Sequence, residues 1–308
     1  ERMPLQGTFK GYEIVSMPPS SSGGVHLIQM LNMLEPFSLK EMGFGSAQSI
    51  HLMSEVMKRA YADRSKYLGD TDFVSVPLKG LTDKEYAKEL LKEISLTKVT
   101  PSKSISNGNP LPYESPDTTH FSVMDSEGNV VSNTYTLNFS YGSGIVIPGT
   151  GILMNNEMDD FSSKKGVPNA YGLVGYEANE IEGQKRPLSS MTPTIVFKNK
   201  KPYLVLGSPG GSRIITTVLQ VALNVLEHDM SVKQAVVSPR VHHQWLPDVL
   251  LMEEGFSPDT VTLLEKMGHT IRSSRTMGSV QAIIYKDKYF YGAADPRRPS
   301  SGAVAVNP

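Results

Sequence analysis

Apolar residues recur along this chain at two different periods. Val25, Leu27, Ile28, Met30, Leu31 and Leu34 lie on a stripe of period near 3.6, which predicts a helix. Ile50, Leu52, Met53, Val56, Met57 and Ala60 predict a second helix, from Ser46 to about Arg64. A third is expected from Thr82 to Ile94, with Thr82 as N-cap and Glu85 closing a capping box. Upstream of these, Gly11 to Met17 alternates and runs into the loop PPSSSGG. Between Thr100 and Asp117, four prolines and several serines interrupt any period and mark a loop or boundary. The period then turns to two. HFSVMD and VVSNTYTLN around SEGN predict one hairpin, TPTIVF and PYLVLGS around KNKK a second, and QAIIYKDKYFYGA a third. SPGGSR leads into a strongly apolar helix from about Ser212 to Glu227, and shorter helices are expected to start at Ser231 and Ser257. Helices first, then strand pairs interleaved with helices, predict an α+β layered fold with a largely antiparallel sheet.

Composition narrows the function classes. The chain has 308 residues, a formal net charge of −1 and no cysteine. Near-neutral charge argues against broad electrostatic binding to nucleic acid or an anionic membrane. The lack of cysteine rules out disulfides, zinc–cysteine sites, iron–sulfur clusters and thiol nucleophiles. The apolar runs are too short for a bilayer-spanning helix. The opening residues lack the apolar core of a signal peptide. The sequence starts in mid-pattern, and one part of a longer product is expected.

Familiar catalytic motifs are missing: there is no G-x-x-x-x-G-K-[ST], G-x-S-x-G or H-E-x-x-H. His242 and His243 are adjacent and point in different directions, so packing or surface roles are expected before metal binding. DSEGN, from Asp125 to Asn129, lacks the later ligands of a calcium loop and reads as a turn. Four segments carry candidate chemistry, each with a plain alternative. The threonine pair of SPDTTHFSV suits a strand, but a chain cut before Thr118 would set its α-amine beside its own hydroxyl as a base. Gly210 and Gly211 suit a tight turn, or N–H groups at a helix start that stabilise an oxyanion. Glu157, Asp159 and Asp160 form an acidic turn or an ammonium site. Ser189 and Ser190 are loop serines or donors to a carboxylate.

Taken together and in order, TTHFSV, NTYTLN, GSGI, GILMNNEMDDFS, RPLSSMTPT and GSPGGSRI resemble the γ-glutamyltransferases, which are self-cleaving N-terminal-nucleophile hydrolases. MPPSSSGG, YADRSKYLGD and PYESPDTTH extend the resemblance upstream. It implies an αββα four-layer sandwich, with residues 1–117 ending a large subunit and 118–308 forming the small catalytic subunit. It implies Thr118 as nucleophile, supported by Thr136, and Gly210 and Gly211 as oxyanion hole. Asn138, Glu157 and Asp160 would hold the substrate α-amine, and Ser189 and Ser190 its α-carboxylate. Tyr171 falls in a stretch resembling the lid loop. The family's carboxylate-binding arginine lies upstream of the region where this sequence begins. The implied substrates are a γ-glutamyl compound such as glutathione and water, an amino acid or a peptide as acceptor. No cofactor or metal is implied, and the expected location is extracellular or periplasmic. The alternatives are a cephalosporin (glutaryl) acylase of the same family and an unprocessed, non-catalytic homologue.

Overall fold

Two-residue turns organise the main sheet. In Lys10–Gly11, Asn199–Lys200 and Asp287–Lys288 both residues have positive φ, the geometry whose twist matches paired strands. They join β1 (Leu5–Phe9) to β2 (Tyr12–Ser16), β3 (Thr194–Lys198) to β4 (Lys201–Gly207), and β8 (Gln281–Lys286) to β9 (Tyr289–Ala294). The six strands form one sheet in the order β1-β2-β3-β4-β8-β9, antiparallel throughout. A smaller sheet holds β5 (Val241–His242), β6 (Leu250–Met252) and β7 (Ile271–Ser273). The computed structural model describes residues 2–110, 124–125, 127–299 and 301–304.

The helices are α1 (Gly23–Leu34), α2 (Leu39–Met42), α3 (Ala47–Tyr67), α4 (Leu78–Thr82), α5 (Lys84–Leu91), α6 (Ile214–Leu226), α7 (Val232–Val237) and α8 (Pro258–Met267). α1 and α6 are buried along their whole length, including the polar His26, Gln29 and Asn32 on α1 and Gln220 and Asn224 on α6. Cross-strand register separates two faces of the main sheet. Ile14, Val196, Leu204 and Ile284 form one row and belong to the core shared with the helices. The neighbouring row, Val15, Ile195, Val205 and Ile283, points to the other face. In the smaller sheet β5 pairs antiparallel and β7 parallel with β6; helices with a main antiparallel sheet make this an α+β protein.

Three expectations are confirmed by their caps. Ser46 accepts from Ser49 N at 3.1 Å to start α3. Ser231 and Gln234 form a capping box for α7. Ser257 caps α8. Two expectations fail. Thr82 does not cap the third predicted helix; its hydroxyl donates back to Leu78 O and Lys79 O and closes α4. Asp83 caps α5 instead, accepting from Glu85 N and Tyr86 N. The first predicted hairpin keeps its turn, where Asp125 accepts from Glu127 N and Asn129 N. Among the described residues, however, the segment after it forms no strand. It meets the sheet through a hydroxyl: Ser132 Oγ donates to Leu206 O and accepts from Thr194 N.

A buried charge cluster on α3 ties down the segment leading toward residue 110. Glu55 pairs with Lys58 and Arg59, each at 2.9 Å. Lys58 donates to Thr100 O and Arg59 to Glu93 O. Asp248 accepts from the backbone and hydroxyl of Ser102, at 2.8 and 2.7 Å, and lies 3.3 Å from His243 Nε2. Burial opposes its ionisation, but the bonds from His243 and Ser102 and the Lys58 charge win and hold it well below the usual carboxylate range. A depressed pKa makes the contribution to stability fully present above the unfolded value of about 4 and lost progressively as pH falls from there through the lowered folded value. Asp248 is 38% exposed, so solvent screening limits the effect. Asp248→Ala should cost about 2 kcal/mol at pH 7, less at pH 3, as read from urea unfolding at both.

Candidate active site

One cavity of about 1000 Å³ opens on the sheet face turned away from the core helices, where Val205 and Ile283 line it. Thr136, Asn138, Asp160, Tyr171, Ser189, Ser190, Gly210 and Gly211 line it too. Residues more than seventy positions apart thus meet at one pocket. Glu157 is not part of the lining, and Thr118 lies outside the described residues.

The glycine pair sits between β4 and α6. Gly210 has φ 144° and Gly211 φ 58°, conformations that a Cβ disfavours. At Gly211 the space is closed as well: a Cβ would stand 2.3 Å from the Tyr171 ring. Among the described residues neither N–H of the pair has a hydrogen-bond acceptor, which leaves both free for a ligand oxygen. Tyr171 reaches across from the predicted lid stretch. Its hydroxyl donates to Asn138 O at 2.9 Å, and its ring meets Phe139 edge-on. Gly211→Ala should displace this ring and cost about 1–3 kcal/mol through strain. A lowered melting temperature together with a lost Tyr171–Asn138 contact in the variant's structure checks it.

The acidic turn is a short 3₁₀ segment, Glu157–Asp160. Asn179 Nδ2 donates to Asp160 O at 2.8 Å, and Asn138 Nδ2 donates to Asn156 O at 3.2 Å, fixing the turn to both flanks. Burial raises the Asp160 carboxyl to about 7; Arg64 opposes this, while Glu157 and Asp159 reinforce it. Burial raises Glu157 as well. Its Oε1 is buried without a partner among the described residues. Thr136 Oγ1 accepts from Asn138 N at 2.7 Å and helps hold Asn138 at its φ of 72°.

Ser189 and Ser190 are set by the PPSSSGG loop. Ser189 N donates to Ser20 O and Ser22 N to Ser189 O, both at 2.9 Å, while Ser21 Oγ donates to Met191 O. The approach is so close that a Cβ on Gly23 would stand 2.1 Å from Met191 O. Ser189 Oγ accepts from Met191 N and Ser190 Oγ from Arg64 Nη2, at 3.1 and 3.2 Å. Because each oxygen already accepts, its own O–H is left to donate.

The sequence reading missed Arg64 and Tyr61. Tyr61 OH donates to Ser212 O, behind the glycine pair, and Ser212 Oγ donates to Gln244 Oε1 at 2.9 Å. His242 bonds Thr216 and Gln244, and burial lowers it to about 3; the two adjacent histidines are packing groups. Among the described residues no three His, Asp or Glu stand together as a metal site. Tyr61 and Arg64 were legible in principle, as polar residues three apart on one face of a buried helix.

Chemically the pocket offers a carboxylate on one side, hydroxyl donors on another and a pair of free N–H groups. That combination suits an amino acid-like zwitterion whose reacting carbonyl meets the N–H pair. The chain belongs to the γ-glutamyltranspeptidase family, which it matches over residues 1–305. It is 56% identical over 298 residues to the glutathione hydrolase proenzyme of Escherichia coli strain K12, covering 96% of this chain and 51% of that protein. An acivicin-inhibited γ-glutamyltranspeptidase structure is 59% identical and superposes with a TM-score of 0.56, covering 59% of this chain and 99% of the other. The cephalosporin acylase of Bacillus halodurans superposes with a TM-score of 0.82 at 25% identity, covering 99% of this chain and 53% of the other. The chain spans about half the length of the curated relatives it matches.

Proposed function

We propose that the protein carrying this chain is a self-processing γ-glutamyltransferase and glutathione hydrolase. The observation that carries the reading is Asp160 in one cavity with Ser189, Ser190 and the glycine pair. A γ-glutamyl donor presents an α-ammonium, an α-carboxylate and a γ-carbonyl, and the cavity has one complement for each. In this reading the Thr118 hydroxyl attacks the γ-carbonyl while its α-amine takes the hydroxyl proton. The negative oxygen rests on the Gly210 and Gly211 N–H groups. The C–N bond breaks, the leaving amine receives the proton, and a γ-glutamyl ester remains on Thr118. Water then releases glutamate, or an acceptor amine takes the acyl group. The same hydroxyl, attacking the carbonyl of Asp117, produces an ester that water opens; this frees the Thr118 amine and divides residues 1–117 from 118–308.

The fold assigned with this reading is the αββα four-layer sandwich. Export to the periplasm or medium goes with it by family resemblance; among the described residues no helix is long and apolar enough to cross a membrane. A second reading, glutaryl acylase, is favoured by the cephalosporin acylase superposition. Asp160 argues against it, since a glutaryl group has no ammonium to pair. Hydrolysis of a γ-glutamyl anilide and of its glutaryl counterpart by the processed protein tests the choice. Preference for the γ-glutamyl compound is expected; preference for the glutaryl one overturns the proposal.

A further inference from the structure

Arg64 carries a charge that the described structure does not pair. The residue is 4% exposed, on the buried face of α3. Its Nε donates to Ser22 Oγ at 2.9 Å, and its Nη2 to Leu188 O at 3.3 Å and Ser190 Oγ at 3.2 Å. Among the described residues Nη1 has no hydrogen-bond partner, and no carboxylate stands within 4 Å of the guanidinium. A buried cation held only by neutral oxygens is costly to keep in place. That cost is reduced when anions occupy the pocket beside it.

We infer that Arg64 is a positioning residue that sets both ends of the substrate site. It turns the Ser190 hydroxyl outward as a donor, and it sets a positive charge beside the cavity that Ser190 and Asp160 both line. Arginine has donors only, so Ser190 Oγ must accept from it, and the Ser190 O–H is directed elsewhere. Toward Asp160 the effect acts through space. Arg64 on α3 opposes burial and the like charges of Glu157 and Asp159 on Asp160's own turn; Tyr171 faces the same carboxylate from the lid stretch. His26 on α1, which also feels Arg64, is buried and neutral at ordinary pH. One guanidinium thereby gives the pocket its polarity, with a donor for the substrate carboxylate and an anion for its ammonium. The chain thus carries an arginine of its own at the carboxylate end.

This inference rests on the γ-glutamyl reading, and its test keeps the two apart. The processed protein is assayed with a γ-glutamyl anilide as kcat and KM against pH, for wild type and for Arg64→Met, Arg64→Lys, Ser22→Ala and Asp160→Asn. Wild type should show an acid limb in kcat/KM in which Asp160, raised to about 7, and the Thr118 α-amine both titrate, and Asp160→Asn should leave only the α-amine's part. Arg64→Met should move the Asp160 part of that limb up by about one pH unit, a tenfold loss at pH 6. Arg64→Lys should leave the limb in place and raise KM about tenfold, because an ammonium keeps the charge but not the fork to Ser22 and Ser190. Ser22→Ala should raise KM about threefold and leave kcat and the limb unchanged. A limb common to wild type and Arg64→Met overturns the inference, and so does an equal displacement in the Met and Lys variants. Where the Met variant does not fold, an unchanged KM in both Arg64→Lys and Ser22→Ala overturns it. A processed wild type that is inert toward γ-glutamyl donors but active on glutaryl ones defeats the functional reading, and this inference with it.

Discussion

Replacing Asp160 by alanine should lower kcat/KM for γ-glutamyl donors about thirty-fold or more and leave a glutaryl donor nearly unaffected. The reason is the position of this carboxylate. It lines the cavity, its turn is held by Asn179 and Asn138, and it is half-buried. Breaking a buried, hydrogen-bonded charge pair costs roughly 2–5 kcal/mol. At about 1.4 kcal/mol per tenfold, even the lower figure gives the expected loss. A glutaryl chain has the same carbonyl and no ammonium, so removing a raised-pKa carboxylate costs it little. Kinetics with both donors on both proteins make the measurement. Equal losses would show that Asp160 holds the turn rather than the amine.

Thr118→Ala should abolish two activities with one atom. In the proposed mechanism the hydroxyl that opens the backbone before Thr118 is the one that attacks the donor. The variant should stay uncut on a denaturing gel and lose about 10⁴-fold or more in turnover. Thr118→Ser keeps the oxygen and should retain the cut and part of the turnover. In the wild type, N-terminal sequencing of the piece carrying residues 118–308 should begin Thr-Thr-His-Phe. A start at Thr119, or an active enzyme that is never cut, would defeat the assignment. The Ala and Ser variants together separate a missing nucleophile from a disturbed fold, because both change the same side chain and only one removes the oxygen.

How far the sequence reached depends on the range of the interactions involved. The helices beginning after Ser46, Ser231 and Ser257 were readable because each is specified by a cap within three residues of its start. The second and third hairpins were readable because the two-residue turns and the alternation on either side agree. Where two local signals competed, as with Thr82 and Asp83, the pattern alone chose wrongly. Only the placement of α4 decided which side chain was free to cap. The segment after residue 125 alternates like a strand, yet its contact with the sheet runs through Ser132 Oγ. Alternation shows that a segment has two faces, and does not show that a ladder partner lies alongside.

The candidate site divides in the same way. Its glycines, acidic turn and serine pair were found in the sequence because each is a short cluster with its own chemistry. That they share one cavity is a tertiary fact. It depends on the PPSSSGG loop gripping residues 189–191 and on Tyr171 crossing to Gly211 and Asn138. Arg64 shows the limit most clearly. In the sequence it is one charged residue near the end of a predicted helix, marked only by Tyr61 three positions before it. In the fold it is buried against a serine 126 positions away and within electrostatic reach of Asp160. Local sequence determines which groups are present and how each short segment turns. Burial and long-range approach decide which of them feel one another's charge, since Coulomb energy depends on distance in space and on the water excluded between the groups.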